Sequence, residues 1–331
     1  MGSNKFRFLP SVIFTFIFTL ISVSTYAATV PTKLLKQNKI TADATSVPTK
    51  LLKKNKTTTF ADRKEVQQFI QSMHKKHGLN KKNLNAIFSA FGSESKVLRL
   101  MSKQYEALPW YRYRDTIVTE KRIQEGVQFW EEHKGLLKKA ETKFGVPAEI
   151  IVAILGLETS YGKITGNYPV LQALATLAFD YPRRATFFRS ELEHFLLLVN
   201  EGSLDPITTR GSFAGAMGTP QFMPSSYRRY AVDFSGTGKR DLIHDMADVI
   251  GSVANYMKAN GWKKNEKIVL KGNASFSQKS KLIELQKNAN HAKEQWIGLD
   301  NFKVILRYNH SVHYAMAVYH LSQKIRILKK G

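Results

Sequence analysis

The sequence predicts a mainly α-helical domain of the α+β class with a small β region, and three observations carry that prediction. Apolar residues recur at helical spacing over most of the chain from Asp62 onward, runs with strand character are confined to residues 262–305, and Val146–Gly162 reads as a helix apolar on nearly every face. With 331 residues, 43% of them hydrophobic and 20 of them Phe, the chain can bury one large or two modest cores.

Residues 1–27 read as a signal peptide. Lys5 and Arg7 precede an uncharged run from Val12 to Val23, and Ser24-Thr25-Tyr26-Ala27-Ala28 offers small residues for cleavage after Ala27. The run falls short of the ~20 residues a membrane span needs, with an uncleaved N-terminal anchor as the alternative. The expected location is therefore the periplasm or cell envelope. The chain has no Cys, which excludes a disulfide framework and a lipidated cysteine, so a lipoprotein is not expected.

Residues 28–59 contain a repeat, V-P-T-K-L-L-K-Q-N-K at Val30–Lys39 and V-P-T-K-L-L-K-K-N-K at Val47–Lys56. Rich in Lys and Thr and without aromatics, the copies cannot build a core. They read as a flexible basic tether, either a linker with no partner or a segment drawn transiently to an acidic surface. Over the whole chain 50 Lys and Arg face 26 Asp and Glu, a net charge of +24. For an exported protein this favours the polyanionic cell wall, anionic lipid head groups or extracellular nucleic acid, and sign alone does not choose among them.

From Phe60 the pattern is helical. Asp62 is followed by Val66, Phe69, Ile70 and Met73, then by Leu84, Ile87, Phe88 and Phe91 before Gly92; Leu98–Tyr105 and Ile123–Leu137 continue it. Pro109–Asp115, P-W-Y-R-Y-R-D, has no clear period. Its aromatics interleaved with cations suit sugar rings or bases, or a packing role. In Val146–Gly162, Pro147 suits a first helical position and Gly162 a stop, for a helix of about four turns. Glu158 lies at its end. If it is buried, desolvation and the negative end of the helix dipole raise its pKa toward the range a general acid needs; the alternative is a frayed last turn with Glu158 in solvent.

A loop from Lys163 to Pro169 leads to a helix at Val170–Phe179 and to Asp180-Tyr181-Pro182-Arg183-Arg184. Arg183 and Arg184 are either a bidentate carboxylate site or a solvated helix start before Phe187–Val199. Gly211–Tyr227 is dense in Gly and Ala, which implies close backbone approach, and lacks the Lys of a phosphate loop. Ser212 and Gln221 are its candidate ligand contacts, with local capping as the alternative.

Asp233, Ser235, Thr237, Lys239 and Asp241, with Gly238 at the sixth position, resemble the start of a twelve-residue calcium loop. Thr237 is neutral and the twelfth position is His244, which should weaken affinity. A helix follows at Met246–Asn260, carrying Tyr256 and closed by Gly261. Ile268–Leu270 and Phe302–Ile305 read as short strands around a polar span, and the end is helical from about Tyr308. His310 and His313 lie one turn apart without a carboxylate to complete a zinc pattern, and read as ordinary histidines.

Taken together, G-L-E-T-S-Y-G around Glu158, A-L-A-T-L-A-F-D-Y-P-R-R, G-S-F-A-G-A-M-G-T-P-Q-F-M-P-S-S-Y, I-G-S-V-A-N-Y and R-Y-N-H-S-x-H-Y-A-M-A-V resemble the membrane-bound lytic murein transglycosylase B family, glycoside hydrolase family 103, in matching order over residues 60–325. The resemblance implies a lysozyme-like catalytic domain over 60–325, with a helical N-terminal part. It implies cleavage of the β-1,4 bond between N-acetylmuramic acid and N-acetylglucosamine, leaving a 1,6-anhydromuramoyl end.

It places the acid/base on Glu158, groove-lining positions on Tyr113, Ser212, Gln221, Tyr256, Tyr308, Asn309 and Tyr314, and an arginine pair beside the cleft on Arg183 and Arg184. The expected partners are peptidoglycan glycan strands and, as an open alternative, wall-synthesis proteins; a monomer is expected, and no nucleic acid, since no DNA- or RNA-binding motif is present. No cofactor is expected to be required, structural calcium being the open alternative. Three departures stand out: the missing Cys, the degraded calcium loop and the short span between Trp262 and Phe302, which points to a reduced β region. A cell-wall scaffold without turnover is the competing reading.

Overall fold

The helical periodicity folds as thirteen α-helices among the described residues, 58–102, 108–272 and 281–331 of the computed structural model. The expected signal peptide, residues 28–57 of the tether and residues 103–107 lie outside them.

The N-terminal part starts with a capping box. Thr59 and Asp62 bond reciprocally around a 3-10 turn, Phe60–Asp62, before α1 (Lys64–His77), α2 (Lys81–Ser89) and α3 (Ser95–Ser102). Hydrogen bonds tie this part to α8 (Val170–Asp180). Arg63 makes a bidentate pair with Asp180 at 2.7 and 3.1 Å, and Thr176 Oγ1 accepts the Glu94 N–H at 3.0 Å.

Pro109–Asp115, which shows no clear period in sequence, is largely α4 (Trp110–Ile117). Trp110, Tyr113 and Ile117 are buried on one face at three- and four-residue spacing, with Arg112 and Arg114 interposed. The single helix expected at Ile123–Leu137 is two, α5 (Glu120–Glu132) and α6 (Lys134–Phe144), because His133 at φ −116°, ψ 22° leaves helical geometry.

The centre of the fold is α7 (Ala148–Thr159). Ile150 to Gly156 are all buried, and the helix packs against α5, α6, α11 (Met246–Ala259) and α13 (Val312–Lys330). It is shorter than expected at its start, where Pro147 is the N-cap. α8 and α9 (Ala185–Asn200) form a packed hairpin through a 3-10 turn, Pro182–Arg184, and α10 (Pro224–Tyr230) lies on α9. Two short strands, β1 (Tyr168–Pro169) and β2 (Arg210–Gly211), pair antiparallel and draw the ends of the α7–α8 loop and the Gly-rich loop together.

The β region is a three-stranded antiparallel sheet in the order β3-β5-β4, with β3 Val269–Lys271, β4 Lys281–Gln286 and β5 Lys293–Gly298. The strand expected at Phe302–Ile305 is instead part of α12 (Asp300–Tyr308). There Asn301, Phe302, Val304 and Ile305 are buried, the helix packs on α13, and Asp300 supplies the acid of the first turn. A four-residue apolar run is too short to tell helix from strand, and tertiary packing decides.

One glycine in α7 is a packing requirement. A Cβ at Gly156 would stand 2.5–2.8 Å from Oη, Cζ and Cε1 of Tyr161, which folds back over the helix. Gly156→Ala should lose about 1–3 kcal/mol through overpacking. Gly135→Ala in α6, where nothing lies within 4 Å of the added carbon, should gain about 0.5–1 kcal/mol. Thermal unfolding followed by circular dichroism distinguishes them: the first variant melts below the wild type, the second at or above it.

Candidate active site

The apolar run of α7 carries Glu158 into the interior as its penultimate residue, and only 8% of it is exposed. Its Oε1 accepts a 2.6 Å hydrogen bond from Tyr314 Oη of α13. Burial disfavours the charged form more strongly than this bond favours it, so the carboxyl pKa is pushed up to about 7. No second carboxylate among the described residues contributes to the shift.

The last turn of α7 does not fray. Ser160 at φ 49° and Tyr161 at φ 62° take the left-handed conformation, and Gly162 follows at φ 88°. Each non-glycine residue there costs on the order of 1–3 kcal/mol and persists only where its surroundings enforce it. Thr159 Oγ1 donates to Thr219 O at 2.8 Å and accepts the Gly162 N–H at 3.0 Å, while Tyr161 Oη donates to Arg122 O at 2.7 Å. The reversal after Glu158 is thereby tied to α5 and to the Gly-rich loop.

Tyrosines surround the carboxyl. Tyr308 stacks parallel to Tyr314, with centroids 6.5 Å apart, and its Oη donates to Pro220 O at 2.6 Å. Tyr256 of α11 meets Tyr308 edge-on at 4.8 Å and donates to Arg307 O, and Phe222 packs against both. Tyr113 of α4 is buried, stacked on Trp110 and beside His313. Burial first, and then the nearby Glu158 charge, push the pKa values of Tyr113, Tyr308 and Tyr314 upward, so all three stay neutral hydroxyls. His313 is an aromatic partner of this cluster, and His310 is exposed.

The Gly-rich loop folds as two successive bridges, Gly211 with Met217 and Met217 with Phe222. Gly218, at φ 67°, lets the chain pass so close to Leu242 that a Cβ would lie 2.2 Å from its carbonyl oxygen. Ser212 Oγ accepts the Ala216 N–H at 3.0 Å, a local capping role. Gln221, at φ 49°, donates from Nε2 to Thr165 O and Gly218 O, both at 2.9 Å. Asn309 bridges α12 and α13 and accepts the Ser311 N–H at 3.2 Å.

Glu158, Tyr113, Tyr256, Tyr308, Tyr314 and the loop of Gln221 thus converge. Arg183 and Arg184 lie on a separate element, the turn joining α8 to α9, where Arg183 is exposed and Arg184 sits over the Phe187 ring at 4.2 Å.

In the calcium-like loop, Asp233 accepts the N–H groups of Gly236, Thr237 and Gly238. Ser235 Oγ lies 3.3 Å from Asp233 Oδ1, Thr237 Oγ1 3.4 Å from Ser235 Oγ, and the Lys239 carbonyl 3.5 Å from Thr237 Oγ1. The fully buried Asp248 adds Oδ1 at 3.2 Å from Ser235 Oγ. Five oxygens in sequence match the ligand preference of a hard cation. Asp241 is turned elsewhere, accepting the Ile243 and His244 N–H groups, so the second carboxylate of the cluster is Asp248. No group of three or more His, Cys, Asp or Glu able to hold a metal is found among the described residues.

Asp248 and Thr159 are residues that sequence reasoning missed. Asp248 had one local signal, an acid in the first turn of the helix after the loop; Thr159 had none, since its partner is 60 residues away.

The family model for the transglycosylase SLT domain matches residues 61–289 and 270–323. The chain is 42% identical over 307 residues to membrane-bound lytic murein transglycosylase B of Escherichia coli K12, covering 82% of this chain and 85% of that protein. Among solved structures, the catenated lytic transglycosylase SltB1 of Pseudomonas aeruginosa matches with a TM-score of 0.78 at 39% identity, over 82% of this chain and 99% of that one. Escherichia coli lytic transglycosylase Slt35 in complex with calcium matches with a TM-score of 0.76 at 42% identity, over 82% and 96%. The expected lysozyme-like, mainly helical fold is the one present, and the chain belongs to the transglycosylase SLT family.

Proposed function

We propose that this lytic transglycosylase cuts the β-1,4 bond between N-acetylmuramic acid and N-acetylglucosamine with Glu158 as its single acid and base, leaving a 1,6-anhydromuramoyl end. The observation that carries the reading is the buried carboxyl with its pKa pushed up to about 7 and its Tyr314 partner. Most glycosidases flank the bond with two carboxylates, and substrate-assisted ones use the sugar's own acetamido group.

Here Glu158, protonated, gives its proton to the glycosidic oxygen as the bond to the anomeric carbon breaks. The resulting carboxylate takes the proton of the muramoyl 6-hydroxyl, whose oxygen closes on the anomeric carbon, so Glu158 ends as it began and no water is consumed. Tyr314 orients the carboxyl. Ser212, Gln221 and Asn309 hold the N-acetyl group, their own backbone bonds having aligned them beforehand. Tyr113, Tyr256, Tyr308 and Tyr314 form the wall against which sugar faces pack, and Arg183 and Arg184 offer cations to acidic groups of the polymer.

The domain division that fits this reading is a signal peptide at 1–27, a basic tether at 28–59 and the catalytic domain at 60–325, exported to the periplasm or envelope. No helix among the described residues is long and apolar enough to cross a membrane. The charge of +24 suits a polyanionic wall. The oxygen cluster of Asp233, Ser235, Thr237, the Lys239 carbonyl and Asp248 would hold a calcium ion as a structural brace before α11, away from the reacting atoms.

Incubation of purified sacculi followed by mass spectrometry tests the chemistry. The wild type should release anhydromuropeptides and Glu158→Gln none. Reducing-end products instead mean a hydrolase, and intact sacculi with tight binding mean a scaffold.

The pH profile tests the acid. Because the folded pKa is raised and the first step needs the protonated form, kcat/KM should fall as pH rises through about 7. The Tyr314 bond favours the carboxylate, so Tyr314→Phe should move that limb to higher pH; an unmoved limb rejects Tyr314 as the group setting it.

Calcium should raise the melting temperature and a chelator reverse the gain, with Asp248→Asn or Asp233→Asn abolishing the response; a wild type that melts identically in both conditions shows that the loop does not use calcium.

A further inference from the structure

We propose that Thr159 is a positioning residue that fixes Glu158 relative to the Gln221 loop by gripping the backbone between Thr219 and Pro220. The inference rests on the reading of Glu158 as acid and base and goes beyond it to the part that aims it.

Two hydroxyls from different elements take successive carbonyls of the loop. Thr159 Oγ1, at the end of α7, donates to Thr219 O at 2.8 Å, and Tyr308 Oη, at the end of α12, donates to Pro220 O at 2.6 Å. The Thr219 N–H is taken by Leu242 O at 3.1 Å and the Gln221 N–H by Gly218 O at 3.2 Å; Pro220 has no N–H to satisfy. Gln221 follows at once, in the left-handed conformation that a non-glycine residue keeps only under constraint, and its side chain is tied to Thr165 O and Gly218 O.

These contacts close a ring. Glu158 is bonded covalently to Thr159, which holds Thr219; Pro220 is held by Tyr308, which stacks on Tyr314, which donates to Glu158. A closed ring leaves the carboxyl no independent freedom relative to the loop. Opened at Thr159, the ring no longer couples the end of α7 to the loop, and the Tyr314 bond is left as the carboxyl's remaining link in it. Thr159 is 1% exposed, so water does not replace its hydroxyl, and its loss strands both the Thr219 carbonyl and the Gly162 N–H. A single carboxyl that must serve first the glycosidic oxygen and then the 6-hydroxyl is sensitive to such an error, because a displacement of about 1 Å can cost on the order of 10²-fold in rate.

The test is steady-state kinetics on soluble glycan strands with Thr159→Val, Thr159→Ser, Glu158→Gln and, as a control, Thr176→Val, which removes the buried hydroxyl that accepts the Glu94 N–H on α8. Thr159→Val should lower kcat on the order of 10²-fold with KM changed less than about threefold, and Thr159→Ser, which keeps both hydrogen bonds, should restore kcat to within about fivefold of the wild type. In the Thr159→Val background, Gln221→Ala should cost less than it does in the wild type, because the two act through one geometry. Thr176→Val should melt lower yet keep its kcat. If Thr159→Val does not fold, Thr159→Ala, which removes the hydroxyl and shrinks the side chain, carries the same expectation.

A folded Thr159→Val with wild-type kcat, a Ser variant as impaired as Val, or an equal loss in Thr176→Val overturns the proposal. The two levels separate cleanly: an active Glu158→Gln sinks the acid/base reading itself, whereas an inactive Glu158→Gln beside a fully active Thr159→Val sinks the positioning role alone.

Discussion

The constraint on which this structure depends is the burial of one carboxyl at the end of an apolar helix. α7 can sit at the centre of the fold only because Ile150 to Gly156 present no polar group, and that same placement drags Glu158 out of water. The consequence is thermodynamic as well as chemical. A carboxyl whose folded pKa is about 7 rather than the ordinary 4.5 holds its proton more tightly in the folded chain. The folded state therefore suffers no penalty below about pH 4.5, and loses stability progressively as pH rises to about 7, on the order of 3 kcal/mol in all. Near pH 7 the fold thus carries most of the cost of burying this carboxyl while part of the population still holds the proton, which is the expected trade between stability and a functional site.

The surroundings offset that strain by closing on themselves. Three non-glycine residues with left-handed backbone, Ser160, Tyr161 and Gln221, flank the site; Ser160 closes back on Gly156 O of its own helix, while Tyr161 and Gln221 are held by hydrogen bonds to other segments. Tyr161 reaches α5, Thr159 reaches the Gly-rich loop, and Tyr308 reaches the same loop from α12. The glycines serve these contacts: Gly156 leaves room for the Tyr161 ring and Gly218 for the Leu242 carbonyl. Helix packing thus places the carboxyl, and side-chain-to-backbone bonds aim it.

How much of this could be read from sequence depends on the range of the signal. The ends of α8, α9 and α11 fall within two residues of the apolar pattern, because those helices bury a dense face. α4 escaped because Arg112 and Arg114 interrupt the spacing of Trp110, Tyr113 and Ile117, and the break at His133 carries no Gly or Pro. β4 alternates as a strand should, with Ile283 and Leu285 buried between exposed Leu282 and Glu284, but over too few residues in a polar span to stand out. At the site, the buried acid and the Tyr308–Tyr314 pair announce themselves in short motifs. The Thr159 bond and the contribution of Asp248 arise only when distant segments meet, so no local pattern encodes them.

The chain's charge and its acid make opposite demands. An excess of 24 positive charges would draw an acidic polymer, yet a cation beside Glu158 would pull its pKa down and spoil it as a proton donor. The carboxyl's shift has two causes, burial and the Tyr314 hydroxyl, and no lysine or arginine is among them. Arg122 comes near enough to influence Tyr113 and Tyr161, but its guanidinium is bonded to the Ile117 carbonyl at the end of α4. Neutral hydroxyls line the acid where cations would be cheap to place in so basic a chain. That choice of lining keeps the proton on Glu158 near neutrality in a chain of strongly positive net charge.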